Sequence, residues 1–168
     1  MILSDALYAT GSVVIVFFFL YLQTQSLFLG ASAMIQIILA PALAWYFYRY
    51  VFGIQYFGAL NVLAAFIACA VGVDDIFVFL EMWKVSVNVG PGVNLNAATR
   101  FQWVWKKAAW STMVTSLTTC ISFFSSCMIP MVSTCSFGIF AGLAILFDYF
   151  LVITLFAVAM MVYHSRWE

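Results

Sequence analysis

The sequence predicts an all-α membrane protein: a five-helix transmembrane bundle formed by a single domain over residues 1–168. Three observations predict it. Hydrophobic residues make up 67% of the chain and charged residues only 7%, against about 25% charged in an ordinary globular domain. Five stretches are apolar over the roughly 20 residues that a spanning helix needs. Carboxylates stand inside two of those stretches, where each costs on the order of 3 kcal/mol and marks a place where ions or protons are handled.

The elements follow in order. The first span covers residues 6–22 and closes at Gln23-Thr24-Gln25. The second covers 27–48 and closes at Arg49, with Pro41 as a kink. The third, 56–82, is long enough to tilt. The fourth, 108–129, is ended by Pro130. The fifth, 132–163, holds Gly138 and Gly142 in a GxxxG spacing that close helix packing explains. Short links after the first, second and fourth spans make antiparallel hairpins the natural packing. One long cytoplasmic loop, 83–107, remains. Ser86 to Asn94 has turn chemistry, and Asn96 is placed to N-cap a short helix over Ala97–Lys107. Trp103, Trp105 and Trp110 with Lys106 and Lys107 form an interfacial belt, read as a membrane anchor rather than a specific lipid-headgroup site.

Basic residues orient the bundle. With five spans the two termini lie on opposite sides. Arg49 alone falls on the N-terminal side, and Lys84, Arg100, Lys106, Lys107 and Arg166 fall on the other. The positive-inside rule then puts the N-terminus outside and the C-terminus in the cytoplasm, with the plasma membrane as the expected location. Met1–Asp5 carries no basic segment, so no signal peptide is expected. The formal net charge of +0 gives no reason to expect nucleic acid. Cys69, Cys120, Cys127 and Cys135 lie in apolar segments without metal-binding spacing and read as packing residues. No cofactor or metal cluster is expected, and His164 reads as interfacial.

The polar residues within the spans carry the functional reading. Asp74 and Asp75 are adjacent, and Asp148 stands in the fifth span. The third and fifth spans run in one direction. At about 1.5 Å per residue, Asp74 and Asp148 lie at similar depth, so three carboxylates can share one polar pocket. Adjacent helical residues point about 100° apart, so Asp74 and Asp75 cannot face one neighbour. Close carboxylates disfavour double ionisation: such a site carries H⁺ or holds Na⁺, and the residues leave both open. Ser111, Thr115, Thr118, Ser122 and Ser125 form a hydroxyl stripe on the fourth span, widened by Thr112, Thr119 and Ser126. The first four are the candidate polar wall of the pocket, against the alternative that they pack helices. Asn61 is either a supporting group for the pair or an interhelical hydrogen-bonder.

Ala70-Val-Gly-Val-Asp-Asp-Ile-Phe-Val-Phe79 resembles the fourth transmembrane helix of the Patched and Dispatched proteins of the resistance–nodulation–division (RND) superfamily, whose motif is glycine, three residues, then paired aspartates. Met113–Thr119 and Phe137–Leu146 look most like Dispatched. The resemblance runs from about Leu63 to the C-terminus. It implies a sterol-sensing domain, helices two to six of a twelve-helix transporter, which is an RND half-repeat. Ala70 replaces the first motif glycine, and Asp148 stands where an uncharged polar residue is usual.

The resemblance implies a transport module that couples Na⁺ or H⁺ flow past Asp74 and Asp75 to movement or release of a sterol or lipid-modified cargo; its matching depth adds Asp148 to the candidate ion or proton path. The chain then looks like a fragment, with membrane lipid or sterol, lipid-modified protein cargo, and a missing second RND repeat or another chain as partners. The alternative is a sterol-binding regulatory module without transport. An intramembrane aspartyl protease is a remote third reading, because the order of the local motifs is wrong for it and no Pro-Ala-Leu motif follows the aspartates; no enzyme is expected.

Overall fold

The computed structural model describes residues 27–87 and 97–167 together with Phe18, and it is all-helical over them. Apart from Phe18, the predicted first span, 6–22, lies outside the described residues. α1 spans Leu27–Tyr46 and passes into a π-helical turn, Phe47–Val51. α2 spans Ala59–Ser86. α3 spans Ala97–Ser125 and ends in a 3₁₀ turn, Ser126–Met128. α4 spans Val132–Leu151 and continues through a π-helical turn, Val152–Phe156, into α5, Ala157–Trp167.

Three of these helical rods are long and apolar enough to cross a membrane: Leu27–Val51, Ala59–Ser86 and Val132–Tyr163. The 29 residues of α3 are also long enough, but its many hydroxyl residues dilute its apolar character. The predicted cytoplasmic loop 83–107 is much shorter than expected. α2 runs on to Ser86, and Ala97–Lys107 is not a separate helix but the first third of α3. No glycine or proline interrupts the chain between Ala97 and Ser125, so nothing stops the helix from propagating. Arg100 pins the two elements together. Its guanidinium donates to Ser86 Oγ at 2.7 Å and to the Trp83 carbonyl at 3.1 Å, and stacks 4.2 Å over the Trp83 ring.

α4 is the central helix, packed against α1, α2 and α3. Its small residues permit this. A Cβ added at Gly138 would overlap Ser126 Oγ and the Phe123 carbonyl, and one at Gly142 would meet the Phe124 ring at 3.0 Å. The GxxxG face is therefore the α3 contact. In α1, Pro41 supplies no N–H to the Ile37 carbonyl one turn back, and the Cys69 thiol of α2 approaches that carbonyl at 3.8 Å. Cys120 reaches the Gly142 carbonyl at 3.4 Å, and the Cys127 and Cys135 sulfurs lie 2.9 Å apart. Large apolar side chains such as Leu63, Phe66, Trp110, Val114 and Phe150 point outward, as a lipid-facing surface requires.

Two apolar clusters fill the interior. One joins Ile37, Ile76, Phe79, Val152 and Phe156. The other joins Ala44, Tyr48, Ala64, Phe140 and Ala144. Along α2 the stretch between Ala68 and Ile76, and along α4 the stretch between Ala144 and Val152, separate the two clusters. Those are the stretches that carry Gly72, Asp75 and Asp148.

Candidate functional site

The paired aspartates divide as helical geometry requires. Asp75 points into the bundle and is buried, while Asp74 lies on the exposed face of α2. Asp75 accepts a hydrogen bond from Ser116 Oγ of α3 at 3.1 Å. Asp148 of α4 is 1% exposed, and neither of its oxygens has a hydrogen-bond partner among the described residues. Its carboxyl rests on the bare Cα of Gly72: a Cβ there would sit 2.6 Å from Oδ1. Asp148 and Asp75 interact electrostatically. The inner polar layer thus holds Asp75 and Asp148, one from each of two packed helices, with Ser116 against the first. Asp74 is not part of it.

The hydroxyl stripe sits elsewhere than the sequence pattern implied. Ser111, Thr115, Thr118 and Ser122 all lie on the exposed face of α3. Thr115, Thr118 and Ser122 donate to carbonyls of their own helix, at 3.0 Å to Thr112, 2.9 Å to Thr115 and 2.8 Å to Thr118. None of the four hydrogen-bonds to a carboxylate among the described residues. α3 carries two parallel small-residue rows. Ala108, Thr112, Ser116 and Cys120 form the inner one and are buried. The outer row is richer in hydroxyls, so it stood out; the inner row was legible as small residues at steps of four, the spacing of a close helix contact.

Gln36 of α1 is the other residue that sequence reasoning missed. It is fully buried at 0% exposure and its amide is within hydrogen-bonding reach of Asp148, yet neither of its polar atoms closes a well-formed hydrogen bond among the described residues. Its signal was a single amide in an otherwise apolar run. Asn61 resolves as an interhelical hydrogen-bonder: its Nδ2 donates to Ser136 Oγ of α4 at 3.0 Å. Ser136 also shares a 2.6 Å bond with Tyr48 Oη, which in turn donates to the Tyr56 carbonyl at 2.6 Å.

The tryptophan belt borders an open groove of about 740 Å³, lined by Met82, Trp103, Trp105, Lys106, Trp110 and Tyr149. It is largely apolar, with Lys106 and Lys107 as its basic lining residues.

A polytopic helical bundle with paired intramembrane carboxylates and an inner acidic layer defines a class of membrane protein, and the comparisons with known proteins agree. The chain belongs to the sterol-sensing domain family: the family model described as the sterol-sensing domain of SREBP cleavage-activation matches residues 22–168. Within that family it is a Dispatched-like member. It is 30% identical to protein dispatched homolog 1 of Mus musculus over 166 residues, which is 99% of this chain and 11% of the relative. It is 29% identical to protein dispatched of Drosophila melanogaster over 154 residues, 80% of this chain and 13% of that protein. With protein dispatched homolog 3 of Gallus gallus the identity is 32% over 124 residues, 74% of this chain and 9% of the relative. The chain thus spans about a tenth of the length of the curated relatives it matches. Family membership ties it to a sterol- or lipid-related role in a membrane.

Proposed function

We propose that the chain is the membrane module of a Dispatched-like transporter, coupling Na⁺ or H⁺ movement to the movement or release of a sterol or lipid-modified cargo. The observation that carries this reading is the division of the aspartate pair. Asp75 faces an inner acidic layer, while Asp74, one residue away, is presented on the outer face of the same spanning helix. A charge in that position is costly against lipid. It is stabilised when another polar membrane helix covers it. A second helical repeat, supplied by the rest of a longer protein or by another chain, is that cover. On this reading all of residues 1–168 form one domain of five spans, with the N-terminus outside, the C-terminus in the cytoplasm and the plasma membrane as the location. Asp74, Asp75 and Asp148 handle the coupling ion. The outward hydroxyls of Ser111, Thr115, Thr118 and Ser122 belong to the surface that meets the second repeat. The module performs no covalent chemistry.

The test is to replace both Asp74 and Asp75 with Asn in the intact protein and measure release of a lipid-modified secreted cargo from cells. Release falls at least on the order of tenfold if ion coupling drives it. Unchanged release removes the coupling.

The second reading, a sterol-sensing regulatory module without transport, draws support from the family itself and from the aromatic groove beside Trp103 and Tyr149. A sterol photo-crosslink that persists in the double Asn variant, with no ion-dependent activity in either protein, favours it.

A further inference from the structure

α1 brings one amide, Gln36, into the bundle, and α4 brings one carboxyl, Asp148. They lie against each other, and both are buried to within 1% of complete. The Gln36 amide is within hydrogen-bonding reach of the Asp148 carboxyl, yet none of their four polar atoms closes a well-formed hydrogen bond among the described residues. A buried polar group left unpaired costs about 1–3 kcal/mol, so four together at the centre of a packed bundle demand an explanation. No described lysine or arginine acts on Asp148. The titratable groups that do are Asp75 and Cys69, both on α2; α1 brings only the amide, α3 brings Ser116 by way of Asp75, and on α4 Tyr149 faces Asp75.

Hydrogen-bonding capacity identifies the missing component. An ionised carboxylate only accepts. It takes an N–H from the Gln36 amide but leaves the amide oxygen without a donor and facing a negative charge. One proton changes this. A neutral carboxyl donates its O–H to the amide oxygen, and the amide N–H donates to the carboxyl C=O. That ring of two hydrogen bonds satisfies all four atoms and removes a second negative charge from beside Asp75.

We propose that Gln36 and Asp148 form a binding site for one proton, held as a neutral acid–amide pair between α1 and α4. The site deepens the transport reading by giving Asp148 its own occupant, and it rests on that reading only for its part in coupling. Gly72 belongs to it as a positioning residue, because its missing side chain lets the carboxyl lie flat on α2.

Infrared difference spectroscopy of the intact protein in nanodiscs tests it. At neutral pH the wild type shows a protonated-carboxyl C=O band that shifts on exchange into D₂O. Asp148→Asn abolishes this band and Gln36→Leu displaces it. Asp148→Asn also keeps the wild-type melting temperature, because an Asn amide rebuilds the same ring with Gln36 without a proton. Should Asp148→Asn fail to fold, the D₂O-sensitive band of the wild type and its displacement in Gln36→Leu still decide. A spectrum with only ionised carboxylate at Asp148 overturns the proposal. So does a sodium-dependent rise in melting temperature that Asp148→Asn eliminates, which would put a metal cation there. The two readings fail separately: the band persists in the Asp74→Asn/Asp75→Asn protein whether or not cargo release changes.

Discussion

The bundle has two buried polar layers, and they obey different rules. Near the α1–α2 turn, Tyr48, Asn61 and Ser136 bond one another and the Tyr56 carbonyl at 2.6 to 3.0 Å. Each side-chain polar atom of this layer has a partner, and no ionisable carboxyl takes part. About three turns away, Gln36 and Asp148 are as deeply buried and lie against each other, yet their polar atoms close no well-formed hydrogen bond among the described residues. Both layers join α4 to its neighbours. The first is closed, and its role is to fix helix register. The second is open, and it is the one that holds carboxylates. The difference teaches that burial alone does not mark a functional site in a membrane bundle; unfilled hydrogen-bonding capacity does.

The largest effect is expected from breaking the closed layer at its hub. Ser136→Ala removes the hydroxyl without adding bulk but strands Asn61 and one side of Tyr48, and should cost about 2–4 kcal/mol in the unfolding free energy read by denaturant titration in detergent. A cost below about 0.5 kcal/mol would show that the closed layer is dispensable. Next is Gly72→Ala, which forces the Asp148 carboxyl away from α2. Overpacking of this kind costs about 1–3 kcal/mol, visible as a lower melting temperature, and an unchanged one would show that the open layer is loose. Ser116→Ala removes the hydroxyl that donates to Asp75. Interhelical hydrogen bonds in membranes average about 0.6 kcal/mol, and a carboxylate acceptor raises this to about 1 kcal/mol. The smallest effect is Thr118→Val on the outer row of α3. Its hydroxyl returns to its own helix, so stability should change by less than about 0.5 kcal/mol. A larger loss would assign that row a packing partner within the chain.

Much of this was legible in the sequence, for reasons particular to each part. The runs that became α1, α2 and α4 are apolar with no proline or glycine positioned to stop them, apart from Pro41, and Cys69 approaches the carbonyl that Pro41 leaves without a donor. Asp74, Asp75 and Asp148 stood out because a carboxylate in an apolar run is costly. Depth could be counted; direction could not. Counting placed Asp74 level with Asp148, but which of two adjacent aspartates turns inward depends on where α4 packs. The same ambiguity hid Ser116, since α3 offers two rows of small polar residues and only the tertiary arrangement selects Ala108, Thr112, Ser116 and Cys120 as the inner one. The extent of α3 was masked by Trp103, Trp105, Lys106 and Lys107. An interfacial belt ends the apolar signal without ending the helix.

The contact between Gly72 and Asp148 means that positions 72 and 148 share one volume. A methyl group gained on α2 must be given back on α4, so the two positions should tolerate change in pairs more readily than singly. Gly72→Ala combined with Asp148→Ser should recover the packing that Gly72→Ala alone disturbs, while surrendering the carboxyl. The size of a residue on one helix therefore decides which chemistry the opposite helix can host.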